Sequence, residues 1–188
     1  WHETVAPRRI PAVAQFHEWM TGAGILYLKE NLPAIGTVFT THATMLGRAL
    51  SSLGQSPEAG LGDTTPAELA ETHHVVAKHS LEGACSREAD VFSTVSPITG
   101  DEAALLHERK PDLLVPNGID LDVVDEIAGP SGRDVVRERL QREASLFLGE
   151  DASDAALLCI SGRYEFHNKG IDVLLDRLKK KYEDDSLE

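Results

Sequence analysis

The sequence has 188 residues, of which 41% are hydrophobic and 26% charged, the composition of a soluble globular protein. Its formal net charge of −13 argues against nucleic acid as a partner, because a phosphate backbone would be repelled. No apolar run approaches the roughly 18 residues that a membrane span needs, so we expect no membrane association. The two cysteines, Cys85 and Cys159, have neither CxxC nor metal-ligand spacing around them, which indicates a reduced, cytoplasmic protein.

Short apolar runs alternate with amphipathic stretches along the chain, the pattern of parallel strands joined by helices. The predicted strands are Ala12–Phe16, Thr37–Thr40, Val91–Val95, Leu113–Val115 and Ala156–Ile160. The predicted helices are Gly24–Asn31, Thr44–Leu53, Pro66–Glu88, Pro97–Glu108, Gly132–Leu148 and Asn168–Lys181. Because the strands are nearly continuously apolar, we expect helices on both faces of the sheet. The sequence therefore predicts a doubly wound α/β architecture.

Local patterns add detail to this prediction. Ser96 before Pro97 is a helix start signal, a hydroxyl cap followed by proline at the first helical position. Gln55–Thr65 is rich in turn formers and is predicted to be an exposed loop. Apolar residues recur at helical spacing within 132–148, so we expect that helix to pack one face inward. They are Val136, Leu140, Ala144 and Phe147.

We place a domain boundary within residues 120–155. Residues 1–119 then form the later part of one α/β domain, and 120–155 form a connection. Residues 156–188 would be the first strand and helix of a second domain, because a segment this short cannot bury a core alone. Since the chain begins with Trp1 rather than methionine, we expect the natural N-terminus to lie upstream.

Polar residues follow the predicted strands, at the sheet edge where open α/β sheets bind ligands. Glu18 follows the first strand, His42 the second, and Arg163 the fifth. Lys169 precedes the last predicted helix. Helix N-termini with nearby cations favour phosphate. Arg163 and Lys169 are therefore the leading phosphate ligands, because a guanidinium fork and a point charge complement each other on a diphosphate.

Two other kinds of site are rejected on spacing. The eight histidines include His73, His74 and His79, but adjacent histidines point to different helix faces and no HExxH or paired Cys/His set occurs, so we predict no metal. Gly22-Ala23-Gly24 does not continue as a dinucleotide fingerprint, because Tyr27 occupies the third glycine position. The next strand also lacks a closing acidic residue, which excludes a dehydrogenase.

Five strings, in order and spanning roughly residues 13–172, together resemble the glycogen synthases of the animal and fungal type. They are QFHEW at 15–19, TTHAT with LGR within 40–48, ADVF with TVS within 89–96, KPD with PNG within 110–118, and GRYE with NKG within 162–170. Each string alone is a weak signal, but the set is highly specific.

The resemblance implies a GT-B fold, in which two Rossmann-like domains face each other across a cleft. Residues 1–119 would belong to the N-terminal Rossmann-like domain and 156–188 would begin the C-terminal nucleotide-binding domain. The implied reaction is retaining transfer of glucose from UDP-glucose to the non-reducing 4-hydroxyl end of glycogen or another α-1,4-glucan. It requires no metal or other cofactor, and the full-length protein is expected to be a homo-oligomer.

The resemblance also assigns roles to residues. Arg48, Arg163 and Lys169 would bind the donor's phosphates. Glu18 and His42 would be the catalytic residues at the donor sugar, with the His42 backbone carbonyl steadying positive charge on the ring. Asn117 would contact the sugar at the cleft edge.

The family's glycine-rich nucleotide loop, its late acidic residue and its arginine-rich regulatory helix are expected outside these 188 residues. We therefore expect the isolated chain to be inactive. The alternative is a non-catalytic module that binds nucleotide or glucan.

Overall fold

The computed structural model describes residues 11–129 and 132–185. Four strands form one parallel sheet in chain order: β1 (Val13–His17), β2 (Gly36–Thr41), β3 (Val91–Thr94) and β4 (Leu113–Leu114). The helices are α1 (Glu18–Asn31), α2 (Met45–Ser52), α3 (Pro57–Leu61), α4 (Pro66–Thr72), α5 (Val76–Glu88), α6 (Pro97–His107), α7 (Leu121–Ala128), α8 (Gly132–Leu148) and α9 (Ile171–Asp185). The parallel sheet with its connecting helices confirms the predicted α/β class.

The core is built on three phenylalanines that lie side by side in the sheet. Phe16 pairs with Phe39 and Phe39 with Phe92 in the strand register, so all three occupy one face. The rings of Phe39 and Phe92 are stacked, with centroids 5.9 Å apart, and neither is exposed. Ile25 of α1 and Cys85 of α5 complete this cluster. The phenylalanine face is therefore the one that α1 and α5 cover.

Two aspartates fix the pairing of the strands. Asp90 forms an ion pair with Lys29, and its Oδ2 accepts hydrogen bonds from Thr37 N at 2.8 Å and from Thr37 Oγ1 at 3.0 Å. The Lys29 hydrogen bond and those from Thr37 lower the pKa of Asp90 to about 2. Asp112 Oδ2 accepts a hydrogen bond from Phe92 N at 2.7 Å. Both aspartates belong to the strings quoted above, and here they hold strand ends together.

Two helix boundaries differ from the prediction for physical reasons. Helix α1 begins at Glu18 rather than Gly24 and so includes Gly22 and Gly24, which sit against Cys85 and Phe16, where a side chain would not fit. The predicted helix 66–88 is divided into α4 and α5, because His74 adopts a left-handed backbone with φ 57°. Ser96 caps α6 as predicted, since its Oγ accepts from Thr99 N at 3.1 Å.

Three features of the predicted loop and connection differ as well. The segment 55–65 contains the short helix α3, and the connection contains α7, which was not predicted. The inward face predicted for α8 is wrong for this chain, because Val136 is 53%, Leu140 52% and Phe147 91% exposed. An amphipathic pattern predicts burial only where another element packs against it.

The strand predicted at Ala156–Ile160 is not formed, and these residues have irregular, exposed backbone. Among the described residues no strand pairs with this segment, so its backbone N–H and C=O groups have no ladder partner. Apolar composition was therefore an insufficient basis for the prediction.

The described residues group into two compact units, one within 1–116 and 164–188 and the other within 117–163. The division into 1–119, 120–155 and 156–188 stays a prediction, and residues 1–10, 130–131 and 186–188 of it lie outside the described residues. No helix in the described ranges combines the length and apolarity needed to cross a membrane.

We predict that Gly22→Ala lowers the thermal unfolding midpoint of the protein. An added Cβ would lie 2.5 Å from Cys85 Sγ, and such overpacking typically costs about 1–3 kcal/mol, more than the ~1 kcal/mol that alanine gains in helix propensity. The same substitution in a Cys85→Ala background should be much less harmful. Equal losses in both backgrounds would contradict the packing explanation.

Candidate functional site

The candidate site begins where β1 and β2 end. The register pairs His17 with Thr40, so the carboxyl ends of these two parallel strands lie side by side. Glu18 follows β1 directly and His42 follows β2, which brings together two residues that are 24 positions apart. The sequence analysis placed each of these residues after a strand, at this edge of the sheet.

Glu18 holds the backbone of His42. Its Oε1 accepts a hydrogen bond from His42 N at 2.9 Å, and the side chain is half-buried. Glu18 itself has φ 66°, a left-handed conformation that residues other than glycine rarely adopt. Such backbone strain clusters at functional sites, where the surrounding structure enforces it.

His17 holds the side chain of His42. His17 Nδ1 and His42 Nε2 are 3.0 Å apart, so one ring donates a hydrogen bond to the other. Their ring centroids are 5.3 Å apart. His42 is therefore fixed at both its backbone and its imidazole. Sequence reasoning gave His17 no role, although it directly follows the predicted strand Ala12–Phe16; in the structure it is the last residue of β1.

Helix α2 begins beside this pair, and side chains of the protein bond its first N–H groups. Thr44 Oγ1 accepts from Gly47 N at 3.0 Å. Glu82 Oε2 accepts from Met45 N at 2.9 Å, and Glu102 Oε1 accepts from both the N–H and the hydroxyl of Thr44. An anion near this helix would therefore depend on cationic side chains more than on the N–H groups.

Glycine is required at position 47 by the same arrangement. A Cβ there would overlap the carboxyl group of Glu102. Gly47 thus allows Glu102 to reach Thr44, and the following residue is Arg48. The Leu46-Gly47-Arg48 string therefore combines a packing requirement with a candidate ligand.

A cavity of about 300 Å³ lies beside the start of α2. The polar and charged side chains among its lining residues are His42, Arg48, Ser51, Glu102, Glu165, Asn168 and Lys169. Arg48 and Lys169, both predicted phosphate ligands, thus share one cavity with His42. Two cations facing one space match the charge of a diphosphate.

The turn that carries Lys169 is held by its own backbone. Lys169 N donates to Glu165 O at 3.0 Å, and Ile171 N donates to Phe166 O at 3.0 Å. Gly170 has φ 68°, which its lack of a side chain permits. This conformation ends the turn and starts α9, which explains why the Asn168-Lys169-Gly170 string ends in glycine.

The other two predicted site residues belong to the second compact unit. Arg163 and Asn117 are exposed and are not among the residues that line the cavity. Within 11–129 and 132–185, no group of three or more His, Cys, Asp or Glu residues is arranged to hold a metal ion.

Comparison with known proteins gives one consistent result. The glycogen synthase family model matches residues 2–183. Liver glycogen [starch] synthase of Homo sapiens is 35% identical over 175 residues, which are 89% of this chain and 25% of that protein. Glycogen [starch] synthase of Dictyostelium discoideum is 33% identical, over 88% of this chain and 20% of that protein. That of Caenorhabditis elegans is 34% identical, over 96% and 28%. The chain thus spans about a quarter of the length of these curated relatives.

We predict that Thr44→Val lowers the stability of the protein, whereas Thr44→Ser largely preserves it. Valine removes the helix cap, which is worth about 0.5–2 kcal/mol, and leaves the Glu102 carboxylate without a hydroxyl donor. The measurement is the unfolding midpoint of each variant. A valine variant as stable as the serine variant would show that this cap contributes nothing.

Proposed function

The chain belongs to the glycogen synthase family, and we propose that the full-length protein containing it transfers glucose from UDP-glucose to the non-reducing 4-hydroxyl end of glycogen or another α-1,4-glucan. The proposed transfer retains the configuration of the anomeric carbon. The observation that carries this proposal is the cavity that His42, Arg48 and Lys169 share at the carboxyl edge of the sheet.

The reaction creates charge in two places. The bond between the anomeric carbon and UDP breaks, and UDP leaves with the electron pair. The acceptor's 4-hydroxyl oxygen bonds to the anomeric carbon and releases its proton. We assign Arg48 and Lys169 to the diphosphate, where negative charge grows as the bond breaks. Cations already fixed at that place stabilise the transition state without rearrangement.

Positive charge develops on the sugar ring at the same time. We assign the His42 carbonyl oxygen to this charge, because a carbonyl dipole presents its negative end to the ring. Glu18 supports this role through its hydrogen bond to His42 N, and His17 supports it through the imidazole. These three residues form a fixed group beside the cavity, which is what catalysis by positioning requires.

Several further assignments belong to the same proposal. Arg163 would join Arg48 and Lys169 on the phosphates, and Asn117 would contact the sugar. We propose that the full-length protein is a cytoplasmic homo-oligomer that binds neither nucleic acid nor membrane. The negative net charge supports the exclusion of nucleic acid.

The competing hypothesis is a module that binds nucleotide or glucan without catalysis. It would keep donor affinity and show no transfer. Because the chain spans about a quarter of its relatives' length, we propose that the 188 residues alone transfer no glucose. Incubation with radiolabelled UDP-glucose and glycogen tests this, and incorporation above a heat-killed control would overturn it.

We predict that Arg48→Ala, Arg163→Ala and Lys169→Ala each weaken UDP-glucose binding by the full-length protein roughly tenfold or more. A hydrogen bond to a charged group contributes about 1.5–3 kcal/mol, which sets this magnitude. Calorimetry with UDP-glucose and with ADP-glucose provides the measurement.

Matched controls are Arg137→Ala and Lys180→Ala, which remove exposed cations from α8 and α9. Unchanged affinity in all three site variants, or equal losses in the controls, would contradict the phosphate assignment.

We also predict that Glu18→Gln reduces turnover while changing UDP-glucose affinity little. Glutamine keeps an oxygen that accepts from His42 N but removes the negative charge, so the fold should persist. Turnover is measured with UDP-glucose and glycogen, and affinity by calorimetry. Normal turnover would exclude the Glu18 charge from catalysis and leave it only a structural role.

A further inference from the structure

A second cavity of about 320 Å³ lies among α4, α5 and α6. The side chains that matter here are His79 and Arg87 of α5, His107 of α6, and Glu108, which follows α6. None of these residues lines the cavity beside α2. It is therefore a separate site within the same compact unit.

Two buried imidazoles face this cavity. His79 and His107 stack with ring centroids 4.9 Å apart, and the His107 side chain is 1% exposed. His107 Nε2 lies 3.4 Å from Glu82 Oε2. Among the described residues, Nδ1 of His79 and both ring nitrogens of His107 have no hydrogen-bond partner, and neither does Glu82 Oε1. Because buried polar atoms nearly always have one, the Nδ1 atoms of the two histidines that line the cavity indicate a bound group there.

A guanidinium converges on the same place. A Cβ built on Gly83 would lie 3.1 Å from Arg87 Nη1 and 3.4 Å from His107 Nδ1, so both nitrogens approach Gly83. No carboxylate in the described ranges forms an ion pair with Arg87. Because Gly83 has no side chain, there is room beside the Arg87 guanidinium. No carboxylate neutralises the charge of this guanidinium within the described residues.

We propose that this cavity binds a small oxyanion of the phosphate class, held by Arg87, His79 and His107. Arginine binds two oxygens of such an anion in a fork, and imidazole N–H groups donate to a third. A metal ion would be repelled by Arg87, although two histidines are present. Of the two nearby carboxylates, Glu82 is engaged with Met45 N and His107, and Glu108 lies exposed at the rim.

The charges around His79 give the site a pH dependence. Burial first, and then the charges of His107 and Arg87, lower the pKa of His79 to about 4. The groups that face it are His107 of α6, Arg87 of α5 and Glu108 after α6, with Glu82 behind His107. A bound anion favours the protonated ring and raises this pKa. Binding should therefore take up protons and strengthen as pH falls from neutral.

The test is calorimetric titration of the full-length protein with inorganic phosphate, repeated with sulfate, whose charge is constant across the pH range. We expect Arg87→Ala and His79→Gln each to weaken binding about tenfold or more. Lys180→Ala and Arg137→Ala, which remove exposed cations outside both cavities, should leave this binding unchanged. Sulfate should bind more tightly at the lower pH in the wild-type protein and lose that dependence in His79→Gln.

Gly83→Ala is the second variant, because it fills the space next to Arg87 and His107 while keeping every donor. It should likewise weaken binding about tenfold or more, and its unfolding midpoint shows whether the fold is retained. Titration with glycerol 3-phosphate tests whether the anion is part of a small metabolite, since tighter binding than inorganic phosphate would identify a phosphomonoester. No detectable anion binding by the wild-type protein, or wild-type affinity in both Arg87→Ala and Gly83→Ala, would overturn the proposal.

Discussion

The start of α2 is held by two carboxylates from other helices, and each of them reaches one of the two cavities. Glu102 lines the cavity beside α2, and Glu82 lies next to His107 of the other cavity. Glu82 of α5 accepts from Met45 N, and Glu102 of α6 accepts from Thr44. The first turn of a helix carries partial positive charge, so carboxylates are stabilised there. Glu82 has no exposed surface, and its burial raises the pKa of its carboxyl group. A buried carboxyl group is tolerable here because it bonds a helix N–H.

Glu82 also joins the two cavities chemically. One of its oxygens accepts from Met45 N at 2.9 Å and lies 3.4 Å from His107 Nε2. Met45 opens the helix that carries Arg48, whereas His107 faces the cavity proposed for an oxyanion. A change in charge at His107 would therefore alter the electrostatic environment of Glu82, the carboxylate that holds the start of α2. Glu82 thus forms a buried polar connection between the start of α2 and the second cavity.

Much of the fold could be predicted from local patterns, and the exceptions share a cause. Continuous apolar runs predicted the four strands, and Ser96 and Thr44 lie at helix starts as expected. Glu82 and Glu102 could not be assigned, because their partners are 37 and 58 residues away and nothing local distinguishes them from surface acids. The strand predicted at 156–160 was wrong for a different reason: its apolar pattern is typical of a strand, but no other strand pairs with it. Glu18 and His42 lie together because they follow two adjacent parallel strands, whose carboxyl ends meet at one edge of the sheet.

The left-handed backbone of Glu18 has a consequence for how this protein would respond to selection. Glycine or asparagine would occupy that conformation with less strain, so the fold alone favours a different residue at position 18. Glutamate there gives up stability for a carboxylate beside His42, a trade-off between stability and function. Laboratory evolution that selected for heat resistance alone would therefore favour variants in which Glu18 is replaced. Selection that also required the carboxylate would have to find stabilising substitutions elsewhere in the molecule.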